Sequence, residues 1–275
     1  YSMSALKPME PQKVSGFKNV IAHIFVYLVV FVAILPQITV VVTSFLETRG
    51  ASYTGKFTLQ NYKNILMPKN INIITNTYVF GIVAIILVVV LGVLISYLTV
   101  RKKSVLTTII DTLTMFPYII PGSVLGISFL YAFNKKPLLL SGTAIIIIIS
   151  LCIRRMPYTI RSSTAIIGQI HPSIEEAAIS LGSSEAKSFI KITVPMMLAG
   201  VLSGAIMSWI TLISELSSSI ILYTSKTQTL TVAIYVEVIR SNFGNAAAYS
   251  TLLTATSILS LLLFFKVSGN NDISV

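Results

Sequence analysis

Long apolar runs, about 20–45, 73–100, 105–133, 138–160, 195–213 and 246–267, set the terms for this chain. A helix rises 1.5 Å per residue, so ~20 apolar residues cross a hydrocarbon core of ~30 Å. Most of the runs exceed that. The fourth is compact over 138–153, meets Arg154-Arg155, and needs residues 156–160 to reach across. Lipid offers no partner to a backbone N–H or C=O, so spans of this length must be helices. The expected fold class is an all-α integral membrane protein with six transmembrane helices. Residues 1–19, with Lys7, Pro8, Pro11, Lys13 and Lys18, read as a linker, 20–267 as the membrane domain, and 268–275 as a polar tail. The chain opens at Tyr1 without a signal-like apolar core, so we expect a processed product or the second half of a duplicated protein.

Composition narrows the chemistry. Hydrophobic residues make up 54% of the 275 and charged residues 11%, where soluble domains carry about 25% charged. The net charge of +11 comes from Lys and Arg flanking apolar runs. They form no stripe with aromatic residues between them, so lipid headgroups are the expected partner and nucleic acid is not. One cysteine, Cys152, and two distant histidines, His23 and His171, give no disulfide framework and no zinc spacing. Nine acids, mostly in loops, make no catalytic constellation, and neither metal nor cofactor is expected. Gly50–Lys56 fits the G-x-x-x-x-G-K phosphate-loop pattern, but Phe57 stands where Ser or Thr should hold magnesium, and a membrane span precedes it. Any ATP chemistry must belong to another chain. Tyr53, Phe57 and Tyr62 in the same loop read as interfacial anchors.

The polar stretch His171–Pro195 lies between the fourth and fifth runs. Ser173 with Glu176 three residues on predicts a capping box and a helix start. Ile174, Ala177, Ala178 and Leu181 fall at i, i+3, i+4 and i+7, one apolar face. Gly182 stands where that helix should stop, and Ser183 or Ser184 can cap a second helix with Glu185 in its first turn.

Glu176-Ala177-Ala178, three residues, Gly182, nine residues, then Ile192-x-Val194-Pro195 resembles the EAA signature of binding-protein-dependent ABC importer permeases, with Val194 in the place of the usual Leu. The order of the apolar segments resembles that family along most of the chain. The resemblance implies type I ABC importer permease architecture in a bacterial inner membrane. It implies a cytoplasmic coupling loop over 171–195, in which Glu175, Glu176, Ala177, Ala178, Leu181 and Gly182 dock on a separate ATP-binding subunit. It also implies a periplasmic or lipoprotein substrate-binding protein and a second permease half or subunit as partners.

Charge counting agrees on orientation. Six spans place twelve basic residues on the side of that loop, including Arg101-Lys102-Lys103 and Arg154-Arg155, and eight on the other, so positive-inside makes the loop side cytoplasmic.

Pathway residues are expected where helices break or carry charge. Pro117, Pro121, Gly122 and Gly126 predict a break in the third run, serving the pathway or close packing. Gly200-x-x-x-Gly204 is a second close-packing site. Asp111 reads as a partner for Lys102 or Arg101. Glu215 is a carboxylate at or near membrane depth; it is either a pathway group or a helix cap or partner of Arg240. Glu215 and the small residues after it resemble the same region of ferric-iron-type permeases. Glu215, Ser217 and Tyr223, with Pro121 and Gly122, are therefore the pathway candidates, since hard Fe³⁺ prefers oxygen ligands. Permeases for polyamine, sulfate, thiamine or phosphonate share this architecture. A secondary transporter would need more buried titratable groups, and a membrane scaffold would have no use for the capped loop.

Overall fold

A computed structural model describes residues 16–267. The tail over 268–275 and residues 1–15 of the expected linker lie outside the described residues. Helix α1, Phe17–Ser44, carries Pro36 in its interior and leads into an antiparallel hairpin of β1, Leu46–Arg49, and β2, Ser52–Phe57. Here the phosphate-loop pattern is explained. Gly50 sits at φ +59° in the hairpin turn and Gly55 at φ +78° within β2, where the strand register shifts, and both conformations favour Gly. Thr48 pairs with Tyr53 across the strands, and no helix follows Lys56 directly. Tyr62, on the short α2, Gln60–Ile65, is a packing group more than an anchor. Its hydroxyl meets Ser44 Oγ at 2.8 Å and its ring lies 5.0 Å from Phe45.

The core is built by α3, Ile71–Arg101, α6, Ala144–Gln169, and α9, Val194–Ile213. Small residues let them approach. A Cβ on Gly92 of α3 would stand 2.9 Å from Thr159 Cγ2, and one on Gly204 of α9 would stand 2.7 Å from Ser162 Cβ and 2.9 Å from Thr159 Cα. Buried Ser96 donates to Ile160 O at 3.0 Å, tying α3 to α6. Phe80, Ala84, Ile146, Ile147, Leu151 and Leu212 fill the centre. Helix α12, Phe243–Val267, closes the bundle and packs against α1 and α11, Leu230–Ile239.

The third run is two helices. Helix α4, Val105–Ile119, ends where Ile120 turns extended before Pro121, and α5, Gly122–Ala132, leaves at 112°. Residues before proline avoid the helical region, and Pro121 has no N–H to continue the ladder, so the break falls there and not at Pro117, which α4 absorbs.

Among the described residues, four helices are long and apolar enough to cross a membrane, five if the bent α4–α5 pair is one span. The fourth run, α6, spans ~39 Å at 1.5 Å per residue but contains Arg154, Arg155 and Arg161. This corrects the reading of Arg154-Arg155 as a cytoplasmic flank. The helix runs on to Gln169, and both arginines sit in its interior with side chains only 13% and 14% exposed. Two of the twelve cytoplasmic-side charges are thereby removed from the orientation count, which then rests on Arg101-Lys102-Lys103 and the loop beyond α6.

Candidate functional site: a buried ion cluster and a tethered two-helix loop

Glu215 follows α9 and is 4% exposed. Its carboxylate pairs with Arg154 Nε at 3.3 Å and with Arg155 Nη2 in a closer contact. Oε1 also accepts from Ser218 N at 3.1 Å, capping α10, Ser219–Leu222, and the Glu215 carbonyl accepts from Thr231 Oγ1 at 2.9 Å. Arg240 is not its partner; that guanidinium lies 3.7 Å from Glu237. Asp111 likewise pairs with Arg161, at 3.1 Å, and not with Arg101 or Lys102. The two arginines exceed the one carboxylate, so the buried cluster holds one more positive than negative group.

The cluster holds the α4–α5 break in place. Arg154 Nη1 donates to Ile120 O at 3.3 Å, occupying a carbonyl that the break frees. A Cβ on Gly122 would lie 2.5 Å from Ser217 Cβ and 2.7 Å from Arg154 Nη1; one on Gly126 would lie 3.0 Å from Ile221 Cβ. Pro121, Gly122, Glu215 and Ser217 are thus brought together, with Ser217 exposed, while Tyr223 caps the C-terminus of α10. Gly122→Val is expected to lower stability by ~1–3 kcal/mol through overpacking, read as a reduced thermal midpoint in detergent; an unchanged midpoint would contradict this packing.

The second feature is the loop after α6. Helix α7, Ser173–Ser180, has Pro172 at its N-cap. The expected capping box does not form. His171 Nδ1 takes the Ser173 hydroxyl at 2.7 Å, and Ser173 is the first helical residue. The stop is as expected. Gly182 at φ +90° completes a Schellman motif, with Ser183 N donating to Ala178 O at 3.0 Å and Gly182 N to Ile179 O at 2.9 Å. Ser184 Oγ caps α8, Glu185–Ser188, at Lys187 N. A π-helical turn, Phe189–Thr193, then joins α8 to α9.

The apolar face of α7 is bare. Ile174 and Ile179 are 37% and 41% exposed and Leu181 is 90% exposed. Glu175 faces inward instead, 8% exposed. It accepts from Arg101 Nε at 2.9 Å and Tyr97 Oη at 3.0 Å, and Arg101 Nη2 donates to Ile170 O at 2.8 Å. Lys102 meets Glu185 at 2.9 Å on the surface. Removing one partner from a buried pair costs about 3–5 kcal/mol, whereas the exposed Lys102–Glu185 pair contributes ~0–1 kcal/mol. Glu176, Ala177 and Ala178 remain on the outward side, with Ala178 half-buried.

Local sequence pattern does not mark Arg154, Arg155, Arg101 or Tyr97 as functional. The sequence signal at the first two points to a span end: Pro157 follows Arg154-Arg155-Met156 and reads as a helix stop, yet α6 runs through it to Gln169. Among the described residues, no group of three or more His, Cys, Asp or Glu could hold a metal.

Residues 89–269 match the family of binding-protein-dependent transport system inner membrane components. The chain is 32% identical over 235 residues to the ferric transport system permease protein FbpB of Actinobacillus pleuropneumoniae, a match covering 84% of this chain and 34% of that protein. It is 34% identical over 190 residues to a putative ferric transport system permease protein, FbpB 1, of Haemophilus influenzae, covering 67% and 30%. It therefore spans about a third of the length of these relatives. A putative 2-aminoethylphosphonate transport system permease protein, PhnV, of Salmonella typhimurium is 24% identical over 235 residues, covering 85% and 88%. In fold, the chain superposes on a chain of a bacterial ABC transporter involved in alginate import with a TM-score of 0.69 at 12% identity, covering 92% and 96%. Against the MetNI methionine ABC transporter the TM-score is 0.58 at 16% identity, covering 75% and 96%.

Proposed function

The chain belongs to the binding-protein-dependent transport system inner membrane component family, and from that premise we propose that it is the permease half of an ATP-driven importer whose cargo is ferric iron. It is a multi-pass protein of the inner membrane and a type I ABC importer permease. The observation that carries the mechanistic reading is the short α7, closed at its C-terminus by the Gly182 turn, with Leu181 90% exposed beside Ile174 and two alanines. Such a face is too apolar to be left in water and too short to be a span. Small Ala177 and Ala178 let a partner backbone come close.

In this reading α7 docks on a separate ATP-hydrolysing subunit in the cytoplasm. A binding protein delivers cargo at the far end of α3, ~46 Å away at 1.5 Å per residue. ATP-driven closure of the engine displaces α7, and two permease halves rock to alternate access. The α4–α5 break beside Ser217 supplies irregular backbone of the kind found at transport sites. Identity to the two ferric permeases supports iron as cargo. Glu215 then acts chiefly as a fixed counter-charge, with Ser217 and Tyr223 as the oxygen groups left for passing cargo.

The test is reconstitution of the full-length permease with its ATP-hydrolysing subunit and binding protein in liposomes. ATP-dependent uptake of radiolabelled ferric iron, with no uptake of 2-aminoethylphosphonate, is the expected result. The reverse selectivity would overturn the cargo, and uptake without ATP would overturn the mechanism.

A further inference from the structure

A docking helix can drive a bundle only if something stiff joins it to the moving spans. The chain path from α7 into α9 passes through the Gly182 turn, the four-residue α8 and a π-helical turn. The path back into α6 passes through the non-helical Ile170–Pro172 link. Neither covalent route is one continuous helix. The stiffest connection on the inward face of α7 is non-covalent: Glu175, held by both Arg101 and Tyr97. Those two residues are four apart on α3, so they share a face and grip both carboxylate oxygens. Arg101 also holds Ile170 O, fixing the end of α6 to the same point.

We propose that the Arg101–Glu175–Tyr97 cluster is the strut through which α7 moves α3, with Arg101 and Glu175 acting as positioning residues in coupling. The proposal rests on reading α7 as the docking helix. Both charged side chains are only 11% exposed, so solvent screens the strut little. Beyond it, Ser96 Oγ bonded to Ile160 O and the Gly92–Thr159 contact make α3 and α6 move as one body. Arg154 and Arg155 lie on that same α6 and reach Glu215 and the Ile120 carbonyl. A displacement of α7 is thereby delivered to the α4–α5 break without passing through α9.

The test uses the complete transporter in liposomes and reads uptake per ATP hydrolysed. Glu175→Gln keeps the shape and the Tyr97 hydrogen bond but removes the charge; Arg101→Gln removes the other partner. Each is expected to cut the ratio roughly tenfold, and the double variant should be no worse than either single, because both delete one interaction. Wild-type ratios in the single variants, or losses that multiply in the double, would overturn the strut. A second readout does not depend on these variants inserting. Spin labels at Ser180 and Leu98 in the otherwise wild-type transporter should keep one separation across the ATP cycle; a separation that changes with nucleotide overturns the proposal. Ala177→Trp separates the two readings. If that variant couples normally, α7 is not the docking helix and both fall. If it uncouples while Glu175→Gln does not, only the strut falls.

Discussion

Glu215→Ala is expected to stop the protein accumulating in folded form. The substitution leaves Arg154 and Arg155 buried without a counter-charge and strips Ser218 N–H of its acceptor. Breaking one side of a buried ion cluster costs about 3–5 kcal/mol, against a total stability of about 5–15 kcal/mol for a typical fold. Monodisperse yield in mild detergent should fall sharply, and any surviving protein should melt well below wild type. Glu215→Gln keeps the cap at Ser218 and should lose less. A triple variant, Glu215→Leu with Arg154→Met and Arg155→Met, should recover yield, because deleting a whole buried cluster is far milder than orphaning part of it. The outcome also separates two roles for this carboxylate. A pure cargo ligand would allow Glu215→Ala to accumulate normally and only lose uptake; a structural counter-charge requires the loss of yield.

The second large effect is at Ala177. Ala177→Trp should leave insertion intact, since the residue is exposed. ATP-coupled uptake should fall by at least roughly tenfold, since a bulky ring holds the docking surfaces apart and coupling free energies of ~1–3 kcal/mol correspond to losses of 5–150-fold. Gly182→Pro attacks the same element from within. Gly182 sits at φ +90°, which proline cannot adopt, and its N–H bond to Ile179 O is lost. Both variants should uncouple hydrolysis from transport. Normal uptake in both would remove α7 from the mechanism.

Much of this architecture was legible in the sequence. Hydropathy placed α1, α3, α9 and α12 within a few residues, because lipid leaves a long apolar run no alternative to helix. Pro121 announced the break in the third run and Gly182 the end of α7, since each restricts or frees the backbone locally. What stayed hidden was pairing between distant positions. Glu215 and Arg155 are 60 residues apart, and Glu175 and Arg101 are 74 apart. Local pattern says nothing about which face of one helix meets which face of another. That is why Arg154-Arg155 resembles a membrane edge in sequence, and why Asp111 pairs with Arg161 of α6 and not with the nearer-in-sequence Arg101 or Lys102. The Ser173–Glu176 box failed for a different reason: His171 competes for the same hydroxyl.

The most direct test of α7 as the cytoplasmic docking helix is a single cysteine at its most exposed position. Cys152, the one native cysteine of the chain, is buried, so Leu181→Cys would present the accessible thiol. In the assembled transporter, a membrane-impermeant maleimide should leave it unlabelled in intact cells and label it in inside-out vesicles stripped of the ATP-hydrolysing subunit. With that subunit bound, a short bifunctional reagent should cross-link the two chains. Labelling from the outer face of intact cells, or an active transporter in which position 181 never cross-links to the ATP-hydrolysing subunit, would contradict the role given to α7.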